Sequence, residues 1–266
     1  LKIDNVKLKI MLILPIYTPV IRAGNDLAPI LCQNFSFEEN DILVLSSKVV
    51  ATSEGAAIDL KSLTASDEAR TIASKIGKSA VFCEAVLLET KRMNGVVTGD
   101  CTGALLTELR PSGLSQGVIL VPNAGLDESN VAEGFAIGWP LYPVVSARAV
   151  RERIISIQTS KPNLAVIIGD SCVYPGRLGV TAFALASCGI DPFKSEVGHE
   201  DLFSKPLRMT VEAVADQLAV AANAVMGNAA QCIPAAVVRD HGYAMIECEG
   251  WVPGIEPSED LFRRII

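Results

Sequence analysis

Apolar positions along the chain gather into short blocks, and the spacing of polar positions around them separates strands from helices. Uninterrupted runs of four or five apolar residues between polar turns read as buried strands. One is Ile42-Leu43-Val44-Leu45, opened by the turn Glu38-Glu39-Asn40-Asp41. The clearest is Leu164 through Ile168, followed by Gly169-Asp170-Ser171. Val118-Ile119-Leu120-Val121 ends at Pro122, and Ala235 through Arg239 is a final strand. Helical spacing predicts Ser66 to Ile76, where Ser66 can cap, acids fill the first turn and Gly77 ends the helix. Further helices are expected over Ala80 to Thr90, over Ala147 to Ile157 with basic residues outward, and over Thr210 to Met226, closed by Gly227. Strands and helices mix without strict βαβ alternation. That predicts an α+β fold with mixed or antiparallel sheets and packed helices. No repeat or low-complexity linker divides the chain, so residues 1–266 read as one unit or as two interleaved subdomains with no marked boundary.

Composition narrows the functional classes. Half of the 266 residues are hydrophobic and one fifth are charged, enough to bury a sizeable core and to exclude global disorder. Lys and Arg number 23 against 30 Asp and Glu, a net charge of −7. Nucleic-acid binders carry the opposite excess, and an acidic ligand needs local groups or a metal to neutralise it. Seven cysteines are spread without CxxC or CxxH spacing, which argues against a disulfide scaffold and a structural zinc site. Most are expected to be small buried apolar residues. The apolar run Ile10 to Leu14 follows lysines, but it is short and reaches Pro15 without a cleavage pattern. No stretch approaches the roughly 18 apolar residues of a membrane helix. A reduced cytoplasm and no membrane partner are the default expectations.

Several common motifs are missing. Gly77-Lys78-Ser79 ends like a phosphate-binding loop, but Ile72 stands where its first Gly belongs. Gly113-Leu114-Ser115-Gln116-Gly117 matches GxSxG, yet a nucleophile elbow has its strand before the Ser, and here the strand follows. Only His199 and His241 supply imidazoles, so a multi-His metal site is excluded. What remains is polar chemistry behind buried strands. Asp127 lies in the turn Pro122 to Asn130 and Asp170 in Gly169-Asp170-Ser171. Two carboxylates with hydroxyl and amide oxygens suit Mg²⁺ or Mn²⁺ holding phosphate. Asp at such places also serves simply as a turn or helix cap, the reading that spacing alone favours. At another strand end, Ser46, Ser47 and Lys48 either hold phosphate oxygens or form a plain solvated terminus.

The order of segments resembles the γ-glutamyl ligase family that extends the deazaflavin coenzyme F-420. The resemblance begins with Thr18-Pro19-Val20-Ile21-Arg22-Ala23-Gly24-Asn25-Asp26-Leu27, Asp41 through Val50, and Ser53-Glu54-Gly55. It continues through Asn123-Ala124-Gly125-Leu126-Asp127 with Ser129-Asn130, and Ala165 through Ser171. It closes with Gly198, Asp201-Leu202-Phe203, Val214-Ala215-Asp216, Met226-Gly227 and Ile233-Pro234-Ala235. No single piece is diagnostic; their joint order is specific. The resemblance implies a γ-glutamyl-ligase-like fold and a homodimer. It also implies a ligase using GTP or ATP and one or two Mg²⁺ or Mn²⁺ ions to join L-glutamate, or a similar amine, to a small-molecule acid. Carried over by resemblance, Asp127, Asp170 and Ser171 bind metal. Thr18, Pro19, Val20, Ile21, Ser47, Lys48, Asn130, Met226 and Gly227 contact nucleotide, and the Met226 to Ile233 loop closes over the phosphates.

Three departures cluster on the phosphate and metal side. Thr52 stands where the family has Lys before Glu-Gly, and Asn228 where it tends to place an acid. The stretch after Ser171 keeps only Arg177 of a more basic segment. A neutral amide in place of an acid weakens a hard-cation site. The leading reading is an amide ligase of this family; the alternative is a nucleotide- or cofactor-binding relative that has lost ligation. A metal-dependent phosphohydrolase using Asp127 and Asp170 is a third reading.

Overall fold

The apolar runs at residues 42–45, 164–168 and 235–239 come together in one sheet. They are part of a computed structural model that describes residues 10–262. The chain opens with β1 (Leu12–Ile16), α1 (Leu27–Asn34), β2 (Ile42–Ser46), α2 (Ser47–Ser53), β3 (Ile58–Asp59), α3 (Asp67–Ile76) and α4 (Ala80–Arg92). Next come β4 (Val96–Cys101), β5 (Ala104–Leu109), β6 (Ile119–Pro122), β7 (Phe135–Ala136) and α5 (Pro143–Ile157). The last part holds β8 (Ala165–Cys172), β9 (Thr181–Ile190), β10 (Lys194–Ser195), β11 (Val211–Glu212), α6 (Val214–Met226), β12 (Ala235–Arg239) and β13 (Met245–Trp251).

Six strands form the main sheet in the order β1-β12-β2-β8-β9-β13. Every neighbouring pair in it is antiparallel except β2 and β8, which run parallel from Ile42 opposite Ala165 to Ser46 opposite Gly169. The period-2 alternation of side chains sends Leu43, Leu45, Val166, Ile168 and Val237 to one core. Ile42, Val44, Ala165, Ile167, Ala236 and Val238 enter the other, against Val214, Leu218 and Ala222 of α6. Both faces are covered, which is why these strands read as continuous apolar runs. The first core also takes in side chains of α1, α3, α4 and α5 and of the antiparallel sheet β4-β5-β6. The expected α+β architecture is the one found.

Several boundaries differ from the sequence reading, each for a local reason. Ser66 caps α3 by accepting from Ala69 N–H at 3.2 Å, and Gly77 ends it at φ 75°, as expected. α5 starts four residues early because Pro143 occupies its first turn, where a missing N–H costs nothing. α6 begins at Val214 rather than Thr210, since Val211 and Glu212 pair with Ser195 and Lys194. β8 does not stop at Ile168: it runs on to Cys172, so Asp170 lies within the strand. The cysteines are all unpaired, but only Cys83 and Cys188 are buried. Cys101 ends β4 and Cys232 lies in the loop before β12, and both are exposed. Ser115 sits in the loop between β5 and β6, with no helix following it. Among the described residues, no helix is long and apolar enough to cross a membrane.

One ion pair ties the start of β2 to the end of β12. Asp41 is fully buried, and Arg239 meets it with two parallel bonds, Nε to Oδ1 at 2.8 Å and Nη2 to Oδ2 at 2.7 Å. The Phe35 ring lies 5.5 Å from the guanidinium carbon. Fork geometry of this kind satisfies a desolvated carboxylate and holds strand register.

Candidate functional site

β2 passes directly into α2, so Lys48 sits in the first turn of a helix at the strand's C-terminal end. The parallel register sets Ser46 opposite Gly169, which carries Asp170 to the same edge of the sheet. Side chains at the carboxyl ends of parallel strands commonly open into a crevice. The register shifts between Ile168 and Gly169, where Leu185 is an extra residue on β9, so the bulge belongs to β9. Ala184 N–H on β9 donates to Asp216 Oδ1 of α6 at 2.8 Å.

Asp127 arrives by a different route. After β6, Asn123, Ala124 and Gly125 form a turn with φ of 53°, 52° and 76°. Side chains hold this left-handed turn in place. Leu105 N–H donates to Asn123 Oδ1 at 2.9 Å, and Ala124 N–H donates to Thr107 Oγ1 at 3.0 Å. Two residues later, Asp127 and Ile137 exchange backbone hydrogen bonds of 2.9 and 2.8 Å. Asp127 is therefore fixed by a bridge beyond the strand, not at the strand end itself.

The three charged side chains meet. Lys48 Nζ is 3.0 Å from Asp127 Oδ2 and 3.9 Å from Asp170 Oδ1. Burial pushes the Asp127 carboxyl up, but bonds from Ser129 and Lys48 and the lysine charge outweigh it, lowering it from 3.8 to about 2. For Asp170 burial wins. Its carboxyl is raised above the ordinary aspartate value although the Lys48 charge and the Trp139 N–H bond oppose the shift. The Ser47 hydroxyl is buried, and within hydrogen-bonding distance and angle it has no partner.

These groups form one wall of a cavity of about 500 Å³. Thr18, Pro19, Val20, Ile21, Lys48, Asn130, Met226 and Gly227 line it, as do Asp127, Asp170 and Ser171. Ser47 does not; its side chain lies buried beneath the wall. The loop after α6 also lines the cavity and is tied to the rest of the rim. Thr18 N–H donates to Cys232 O at 3.1 Å, and Ser46 N–H donates to Pro234 O at 3.0 Å. Asp127 does cap its own turn, accepting from Ser129 N–H at 3.1 Å, while also facing Lys48. For this residue, capping a turn and lining the cavity are compatible. Asp170, inside a strand, caps no turn.

Sequence reasoning missed Trp139. Its indole Nε1 donates to Asp170 Oδ2 at 2.7 Å. Nothing in Gly138-Trp139-Pro140 separates this ring from an ordinary core aromatic. The one usable signal is general: a buried indole N–H needs an acceptor.

Residues 15–240 match the family model described as F420-0:Gamma-glutamyl ligase. The chain belongs to this ligase family. A coenzyme F420:L-glutamate ligase of Methanosarcina acetivorans is 40% identical over 225 residues, covering 85% of this chain and 84% of that protein. One of Archaeoglobus fulgidus is 37% identical over 250 residues, 93% of this chain and 94% of its own length. One of Methanocaldococcus jannaschii is 31% identical over 247 residues, at 92% and 94%. The resemblance carried by the ordered segments is thereby borne out, and the α+β architecture is the fold of this ligase family.

Thr52 and Asn228 both line the cavity. Among the described residues, no group of three or more His, Cys, Asp or Glu side chains gathers for a metal. The donors that do converge are two carboxylates around one cationic position, and Ser171, next to Asp170 on β8, also lines the cavity. Mg²⁺ and Mn²⁺ are commonly held by one or two carboxylates, with phosphate and water completing the shell. The residues fit an ion that arrives with a phosphate ligand better than an all-protein metal cage.

Proposed function

We propose that the chain is a nucleotide- and divalent-metal-dependent amide ligase. It joins L-glutamate, through its amine, to a carboxylate on a deazaflavin coenzyme or a related acid. The observation that carries this reading is the convergence of Asp127, Asp170 and Lys48 on one cavity wall. The names of the relatives, coenzyme F420:L-glutamate ligase, support glutamate as the amine.

Ligation without a redox change requires an activated acid. The substrate carboxylate oxygen bonds to the γ-phosphorus and the nucleoside diphosphate leaves. The glutamate nitrogen then bonds to the acyl carbon, inorganic phosphate leaves, and the nitrogen gives up a proton. Bound metal supplies charge neutralisation for the phosphates. The chain's own residues position anionic reactants: Asp127, Asp170 and Ser171 hold the ion, and Lys48 neutralises a phosphate oxygen. Thr18 to Ile21, Asn130, Met226 and Gly227 bound the nucleotide space.

Incubation with GTP or ATP, Mn²⁺, glutamate and a panel of deazaflavin and other carboxylates tests this reading. Phosphate release is expected only when acid and amine are both present. Release without the amine points to a phosphohydrolase. Nucleotide binding with no release points to the non-catalytic relative, which the neutral Thr52 and Asn228 on the cavity wall favour.

A second copy of the chain is the partner proposed for the β10–β11 region, where Leu202, Phe203 and Met209 are more than four-fifths exposed. Exposed apolar surface of this kind marks association sites. Sedimentation at micromolar concentration is expected to give a dimer, and a monomer overturns the proposal.

A further inference from the structure

We propose that Trp139 is a positioning residue for Asp170: its indole N–H takes one carboxylate oxygen so that the other is presented to the cavity. The inference rests on the ligase reading for what Asp170 does there, but not for the hydrogen bond itself. The two oxygens of Asp170 are divided. Oδ2 accepts from Trp139 Nε1 at 2.7 Å, and Oδ1 is the oxygen 3.9 Å from Lys48 Nζ. Rotation about the last torsion of an aspartate is broad, so a carboxylate without such a bond samples many orientations. A single N–H on a fixed ring removes that freedom.

The ring itself is held on several sides. Trp139 is only 3% exposed. Phe183 meets it edge-on with centroids 6.1 Å apart, and Trp251 of β13 lies 6.2 Å away. Gly125 closes the slot: a Cβ at that position would stand 2.6 Å from the indole nitrogen. Gly125 belongs to the left-handed turn that delivers Asp127, with φ 76°. The same turn therefore sets one carboxylate directly and leaves room for the ring that sets the other. Their mutual geometry is built through one backbone feature.

The chain has two tryptophans, so ¹⁵N-indole labelling gives two resonances. The Trp139 signal is expected downfield, bonded to a carboxylate, and should move upfield in Asp170→Asn while the Trp251 signal stays. An unmoved Trp139 signal overturns the proposal. Trp139→Phe keeps an aromatic ring in the stack and removes the N–H. Its affinity for Mn²⁺ with GTP, read from free Mn²⁺ by electron paramagnetic resonance, should fall about tenfold to a hundredfold. In the Asp170→Asn background, with no carboxylate left to orient, the same change should have little effect. Equal losses in both backgrounds are what a packing defect gives, and would overturn the proposal. Gly125→Ala, which keeps the N–H but crowds the ring, should shift the same resonance and weaken binding; no change in either counts against the slot. If the parent protein binds no Mn²⁺ with GTP, the ligase reading fails, and the indole resonance alone then decides whether Trp139 holds Asp170.

Discussion

Asp170→Asn is expected to weaken Mn²⁺-dependent nucleotide binding by roughly two orders of magnitude, since ligand charge tunes hard-cation affinity. The same change should leave the protein at least as stable as the parent. Asp170 is 8% exposed, and burial raises its carboxyl above the ordinary value. A raised carboxyl binds protons more readily folded than unfolded, so its penalty is present above the folded value and vanishes below the unfolded one. At neutral pH the amide is relieved of that penalty and still offers an oxygen to Trp139. Asp127→Asn should behave oppositely on stability. Its carboxyl is lowered to about 2, so its contribution is present above 3.8 and lost as pH falls toward 2. Because this carboxylate is partly open to solvent, screening reduces the expected loss at pH 7 to about 1 kcal/mol. Calorimetry with Mn²⁺ and GTP, beside urea midpoints at pH 7, separates the two effects. Unchanged nucleotide binding in both variants would remove Asp127 and Asp170 from the metal site.

The strands that build this site were readable because burial on both faces leaves an unbroken apolar signature. Residues 42–45, 164–168 and 235–239 carry it, and they are neighbours in the sheet. β9 is nearly all buried as well, but its Ala, Ser, Cys and Gly residues dilute the pattern. The β10–β11 pair consists of two residues on each strand, too few to show a period, and β11 falls within the helix expected from Thr210. Asp170 reads as polar chemistry behind a strand, but continued pairing with β9 out to Cys172 keeps the strand going through it. Ser47 and Lys48 are adjacent in sequence, yet the first turn of a helix points one inward and the other at the cavity. Periodicity does not resolve such neighbours at an element boundary. Trp139 lay beyond reach for another reason: its hydrogen bond depends on room left by a glycine fourteen positions upstream and on an aspartate of β8.

Lys48→Met is expected to lower stability at pH 7 by about 2 kcal/mol, between the cost of breaking an exposed pair and a buried one. The intermediate figure follows from exposure: the Lys48 side chain is 23% exposed, Asp170 6% and Asp127 39%. Without the ammonium, two carboxylates face one position with no counter-charge, and each raises the other's proton affinity. The gap between variant and parent should therefore narrow as pH falls. It narrows first as Asp170 protonates above 3.8, and closes as the parent's Asp127 titrates near 2. Mn²⁺ alone should stabilise the variant more than the parent, because no internal cation competes for the two carboxylates. Binding of nucleotide with Mn²⁺ should nevertheless weaken, since a positive charge beside the phosphates is gone. Urea midpoints between pH 4 and 8, with and without Mn²⁺, read the first two effects, and calorimetry reads the third. Equal stabilisation of both proteins by Mn²⁺ would mean that the ion does not enter where Lys48 now sits, and the assignment of Asp127 and Asp170 as its ligands would fall with it.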